Sequence, residues 1–147
     1  IGPEPLTDEF TIPDFATRIG THHKAIKALL LDQTFIAGVG NIYADEALFR
    51  AKIHPQTPAN TLSDDQQAQL FLSIRDVLNA GIDHEGASIN WYRKPDGTKG
   101  TSQDHFFVYG RENLPCMVCG NPIHKIRVAQ RGTHFCLHCQ PFITEEL

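Results

Sequence analysis

The sequence predicts a mainly α fold in which a helical domain is followed by a small metal-bound β-hairpin finger. Three observations predict it. Apolar residues recur at helical spacing through the first half of the chain, and glycine and proline gather between residues 81 and 104. Four cysteines then stand as Cys116-x-x-Cys119 and Cys136-x-x-Cys139, with sixteen residues between the pairs.

Residues 1 to 13 carry Pro3, Pro5 and Pro13 with little periodicity, which predicts an extended lead-in. Ile26, Leu29 and Leu30 mark a short amphipathic helix within Lys24 to Gln33. After Gly38-Val39-Gly40, a second helix is expected over Ile42 to Ala51, with Asn41 placed to cap it. Ser63-Asp64-Asp65-Gln66 has the form of a capping box. Leu70, Phe71, Ile74, Val77 and Leu78 follow on one face, so the longest helix should run from about Asp64 to Ala80. At most a short helix is expected near Ser88 to Tyr92, inside a glycine-rich loop. Phe106 to Tyr109 are rich in strand formers. Ile126 and Val128, with Thr133 and Phe135, flank Gln130-Arg131-Gly132 as a β-hairpin that carries the second cysteine pair.

The cysteine spacing reads as one structural zinc site. Each CxxC turn aims two thiolates at one point, and two turns across a hairpin complete a tetrahedron with no position left for water. The zinc should therefore organise the fold and perform no chemistry. Two disulfides, or four unrelated thiols, are the alternatives. No basic-then-apolar leader opens the chain and no apolar run has the length of a membrane span, so a reducing compartment and no membrane contact are expected. His124, His134 and His138 lie near the cysteines but read as surface or phosphate-contacting residues.

At 147 residues the chain can bury one modest core with a satellite. The net charge of −4 argues, as an average, against nucleic acid. Locally the picture reverses. From Cys116 to Gln140 there is no acidic residue, while Lys125, Arg127 and Arg131 are basic. That asymmetry suits a DNA-facing surface with an acidic back, and on charge alone an ordinary solvated hairpin fits equally well. Gly38-Val39-Gly40-Asn41 ahead of a helix resembles an anion site, although a packed turn with an Asn cap explains the same residues. Lys27, on the preceding helix, could approach the same phosphate, and Arg131 at the hairpin tip is a third candidate. Asp83-His84-Glu85 point in different directions and read as a solvated turn, and His22-His23 as a helix-start surface.

Longer stretches carry more. Ile26-Lys27, Leu30-Leu31-Asp32-Gln33, Gly38-Val39-Gly40-Asn41-Ile42-Tyr43-Ala44-Asp45-Glu46, Ile53-His54-Pro55, Val108-Tyr109-Gly110-Arg111 and Gln130-Arg131-Gly132-Thr133-His134-Phe135-Cys136 resemble the C-terminal half of formamidopyrimidine-DNA glycosylase. The resemblance covers nearly the whole chain, and Gly2-Pro3-Glu4-Pro5-Leu6 resembles the segment that links the family's two domains. It implies an interdomain linker over 1–20 and a helix-two-turn-helix DNA-binding domain over 21–104, with a lesion lid near 88–103. A zinc finger over 105–140 and a tail over 141–147 complete it. It also implies that Lys27, Asn41, Tyr109 and Arg131 approach backbone phosphates of damaged double-stranded DNA, and that Cys116, Cys119, Cys136 and Cys139 hold one structural Zn2+. The expected function is the DNA-binding portion of a base-excision glycosylase/AP lyase for oxidised purines such as 8-oxoguanine and formamidopyrimidine. The pyrimidine-lesion endonuclease branch and a zinc-stabilised protein-interaction module are the alternatives. Family members attack the sugar with an N-terminal proline amine assisted by Glu. This chain begins Ile1-Gly2, and the nitrogen of Pro3 is acylated, so no catalytic residue and no activity are expected of it alone. A monomer lacking its N-terminal catalytic half, cytoplasmic and nucleoid-associated, is the corresponding expectation.

Overall fold

Four helices and one two-stranded antiparallel hairpin follow each other along the chain: α1 (Ile12–Ile19), α2 (Ile26–Leu30), α3 (Asn41–Ala51), α4 (Asp64–Ala80), β1 (His124–Val128) and β2 (Arg131–Phe135). The computed structural model describes residues 1–81 and 106–142. The expected lid at 88–103, the short helix at Ser88 to Tyr92 and the Asp83-His84-Glu85 turn lie outside the described residues.

The mainly α expectation holds, with α3 at its centre. Six consecutive residues of α3, Ala44 to Phe49, are buried. A helix enclosed on all sides needs neighbours on all sides. α4 packs along it, α1 packs on α4, and β2 lies against α3 from the finger side. Ser63 caps α4: its hydroxyl accepts from the Gln66 amide at 3.1 Å, and the Gln66 side chain accepts from the Ser63 amide at 2.8 Å. This is the capping box expected from the sequence, with Leu70, Phe71, Ile74 and Val77 buried beneath it.

Residues 1–13 depart from the extended lead-in, because α1 already begins at Ile12. Pro13 does not break a helix. It sits in the first turn of α1, where its missing N–H would have no intrahelical partner, and the Thr11 hydroxyl accepts from the Asp14 amide to cap that turn. Phe15 and Ile19 of α1 enter the main core. Ahead of α1, Phe10 stacks on Phe71 with ring centroids 4.3 Å apart. The Gly2 amide donates to the Gln33 carbonyl at 2.8 Å, and the Ala37 amide donates to the Pro3 carbonyl at 2.9 Å. Gly2 approaches so closely that a Cβ there would lie 2.4 Å from the Phe35 carbonyl carbon, a contact that only glycine avoids. Arg75 of α4 then gathers the carbonyls of Pro5, Thr7 and Phe10 at 2.9, 3.1 and 3.1 Å while lying over the Phe71 ring.

α2 ends early because the Asp32 carboxylate accepts from both the amide and the hydroxyl of Thr34, at 2.9 and 2.6 Å, and so turns the chain. Asn41 is the first residue of α3 rather than its cap; Gly40 takes the cap position and no side chain bonds to it. Phe106 to Tyr109 form no strand. In the hairpin, Val128 pairs with Arg131, so the turn is Ala129–Gln130 and not Gln130-Arg131-Gly132. Both turn residues have positive φ, 53° and 63°, as a two-residue type I′ turn requires.

Replacing Arg75 with Met should cost about 2 kcal/mol, because three carbonyls lose a charged donor together. Thermal unfolding should show the loss, and amide exchange should be accelerated at Thr7 and Phe10 before it changes within α4.

Candidate metal centre and nucleic-acid interface

The two CxxC turns bring Cys116, Cys119, Cys136 and Cys139 together, with all four Sγ atoms within 4.8 Å of one another. Sulfurs about 2.3 Å from a central zinc stand about 3.8 Å apart. The Cys116–Cys139 and Cys119–Cys136 separations are 3.9 and 3.4 Å, which matches that tetrahedron and is far too long for a disulfide. Backbone amides of Val118 and Cys139 point at the sulfurs of Cys116 and Cys136 at 3.4 Å, and the Asn121 side chain points at that of Cys119 at 3.3 Å. Hydrogen bonding from the backbone and side chain of Asn121 draws the Cys119 thiol down to about 6, whereas burial pushes Cys136 and Cys139 up. Four cysteine sulfurs gathered this closely suit a cation that would hold all of them as thiolates, and the donor set fits one structural zinc. None of the nearby histidines joins this cluster among the described residues, and His134 is buried, not on the surface as expected.

His134 faces α3, where two adjacent carboxylates receive the finger. Asp45 Oδ2 accepts from the His134 amide at 3.0 Å and lies 2.9 Å from its Nδ1, a position in which the carboxylate can accept from the ring. The Nε2 atom of His134 is 3.4 Å from Glu112. Asp45 Oδ1 is 2.6 Å from the Lys27 ammonium, and both side chains are fully enclosed. Lys27 also donates to the Gly132 carbonyl at 3.0 Å and to the Thr133 hydroxyl at 2.8 Å. Burial pushes the Lys27 ammonium below its ordinary range, Asp45 opposes that, and Arg131 adds to it. The next carboxylate, Glu46, accepts from three successive amides, Phe107, Val108 and Tyr109, at 2.8, 2.8 and 2.9 Å. Burial raises its pKa and the three amides oppose the shift. This is why 106–109, although rich in strand formers, form no strand: the N–H groups of 107–109 are taken by one side chain. Gln140 completes the joint, accepting from Cys136 at 2.8 Å and donating to the Ile53 carbonyl at 3.0 Å.

Above this joint lies an open hollow of about 480 Å³, lined by Gly38, Gly40, Asn41, Tyr109 and Arg131 among others. Three of the four residues expected to approach phosphate therefore meet, from three distant segments. Lys27 does not line the hollow. It lies fully buried beneath, among Asp45, Gly132 and Thr133, because its ammonium is consumed in holding the hairpin. Asn41 uses one amide proton on the Gly132 carbonyl at 3.0 Å, and Gly38, at φ 80°, donates its N–H to the Gln33 side chain. Sequence reasoning assigns no role to Glu46, Asp45 or Gln140. Their available signal is two acids in an otherwise apolar helical run, Ala44-Asp45-Glu46-Ala47-Leu48. His22 packs its ring edge on Phe35 and joins no metal cluster among the described residues.

The family model for the formamidopyrimidine-DNA glycosylase H2TH domain matches residues 1–93, and that for the zinc finger found in FPG and IleRS matches residues 113–141. The chain belongs to the formamidopyrimidine-DNA glycosylase family. It is 47% identical over 140 residues to the formamidopyrimidine-DNA glycosylase of Listeria innocua and 51% identical over 140 residues to that of Herpetosiphon aurantiacus. In both cases the alignment covers 95% of this chain and 51% of the relative. Among solved structures, the MutM (Fpg) protein of Thermus thermophilus superposes with a TM-score of 0.79 at 45% identity, over 95% of this chain and 53% of that one. The Lactococcus lactis Fpg in complex with DNA containing an abasic site superposes with a TM-score of 0.82 at 42% identity, over 97% and 52%. The chain thus spans about half the length of its formamidopyrimidine-DNA glycosylase relatives and carries their helix-two-turn-helix and zinc-finger portion.

One zinc per chain should be recovered by metal analysis. A strong chelator should remove hydrogen-exchange protection from residues 106–140, since thiolates and hairpin form together with the metal, while the far-ultraviolet helical signal of α1 to α4 is retained. A hairpin spectrum unchanged by chelation would refute the tetracysteine site.

Proposed function

We propose that this chain is the DNA-gripping half of a base-excision glycosylase/AP lyase that acts on oxidised purines, and that it holds backbone phosphates of damaged duplex DNA in the hollow between α3 and the hairpin tip. The observation that carries this reading is the convergence of Asn41, Tyr109 and Arg131 on that hollow. The N-terminus of the 11-residue α3 places the positive end of its dipole there. Arg131 supplies a guanidinium whose charge already bears on buried Lys27, and Asn41 has a second amide proton to offer. Phosphate contacts of this kind fix register on the duplex and carry no base sequence. The solved relatives include complexes with DNA containing Fapy-dG and with DNA containing carbocyclic 8-oxo-G, which favours oxidised purines as the lesion class.

The chemistry belongs to a part of the protein that this chain does not contain. The Pro3 nitrogen is acylated, and the Pro3 carbonyl is built into the turn that precedes α3. Eversion of the damaged base and attack on its sugar therefore need an N-terminal catalytic half. With it, this chain would act as a monomeric DNA-repair protein of the bacterial cytoplasm. Among the described residues no helix is long and apolar enough to cross a membrane.

Binding to a short duplex carrying an abasic-site analogue, followed by anisotropy over a range of salt, tests the grip. Asn41→Ala and Arg131→Ala should each weaken binding about equally for damaged and undamaged duplexes and lower the salt slope by about one counterion. Unchanged affinity and slope in both variants would sink the assignment. Partner-protein capture with no salt-sensitive duplex binding by the parent chain would favour an interaction module instead.

A further inference from the structure

We propose that Asp45 is the positioning residue of this grip: through Lys27 and His134 it holds the hairpin tip in the one conformation that presents Arg131 to the hollow. The inference rests on the phosphate-grip reading.

The tip holds itself only in part, through Arg127, which donates to the Gln130 carbonyl at 3.1 Å. A type I′ turn needs positive φ at both central residues and favours Asn-Gly, but here the pair is Ala129–Gln130, at 53° and 63°. Both carry a Cβ that disfavours the left-handed region, so the turn residues themselves bring no preference for this turn. What the turn residues lack, α3 provides. Asn41 and Asp45 are four residues apart on α3 and therefore share a face, which is turned toward β2. The Asn41 amide and the Lys27 ammonium both donate to the Gly132 carbonyl, fixing the plane of the peptide that follows Gly132. The Thr133 hydroxyl takes a hydrogen bond from Lys27 and passes one, at 3.0 Å, to the carbonyl of Arg131 itself. Asp45 stands behind all of these contacts. Its Oδ1 anchors Lys27 at 2.6 Å, and its Oδ2 fixes the His134 amide at 3.0 Å on the far side of Gly132–Thr133. Three residues before that amide, the backbone of Arg131 pairs with Val128.

The test is a cycle in the zinc-loaded chain, using the abasic-analogue duplex as probe. Asp45→Asn keeps the shape of the side chain and removes its charge. It should weaken duplex binding about tenfold at low salt and lower the salt slope by about one, with zinc content and helical signal unchanged. Arg131→Ala added to it should cost little more, because the arginine is already misplaced. Converting Ala129–Gln130 to Asn-Gly in the Asp45→Asn background should restore most of the lost affinity, by giving the turn its own preference. A purely structural role for Asp45 would not produce that rescue. Should Asp45→Asn fail to fold around an unpaired Lys27, the pair Lys27→Met with Asp45→Leu removes both charges and should show the same loss. Additive effects of Asp45→Asn and Arg131→Ala, or full affinity and slope in either Asp45 variant, would overturn the proposal. Backbone order at residues 129 to 132, read by nitrogen relaxation without DNA, should fall in Asp45→Asn, and unchanged order would also overturn it. A parent chain that binds no duplex while this order falls would refute the phosphate reading and leave the positioning intact.

Discussion

Two adjacent carboxylates on one buried helix hold this molecule together. Asp45 and Glu46 are both enclosed in α3, and successive helical residues point about 100° apart, so they serve two different partners. Asp45 faces the hairpin and Lys27; Glu46 faces the chain at 107–109. Burying two neighbouring charges is expensive unless each is surrounded by donors. Here one has an ammonium, an amide and an imidazole, and the other has three amides. The finger docks on the helical core because all of those donors but the Lys27 ammonium, which α2 supplies, are on it. The zinc shapes the finger internally and the carboxylates fix it externally, and the surface at the seam inherits the rigidity of both.

Much of this is legible in the sequence. The capping box at Ser63–Gln66, the periodic face of α4 and the cysteine spacing are local signals, and local geometry decides them. The failures share a physical character. Pro13 reads as part of an extended lead-in because its place at a helix start depends on Thr11 and on a core that Phe15 and Ile19 complete. The hairpin turn is expected around Gly132, the residue with the intrinsic freedom, whereas Ala129 and Gln130 take the positive φ instead. Phe106 to Tyr109 have strand propensity, and a side chain some sixty residues earlier, Glu46, takes the amides of the last three.

The candidate site divides along the same line. Asn41 and Arg131 stand out as residue types in suitable contexts, and Tyr109 only through the family resemblance. All three meet at the hollow. Lys27 has the right charge in the right neighbourhood, but a formal charge does not tell whether it faces solvent or a buried acid. Asp45 is that acid, and no periodicity distinguishes an acidic side chain on the solvent face from one that receives a distant hairpin.

The enclosure of Lys27 also makes this amine a built-in reporter. Acylating or reductively methylating reagents need an accessible amine, and the fully enclosed Lys27 is out of their reach, while the exposed Lys24 and Lys52 would react freely. The labelling pattern of one lysine thus records whether the finger is seated on α3. It could be read by mass spectrometry in a crude mixture, with no DNA, no added metal and no assay of activity.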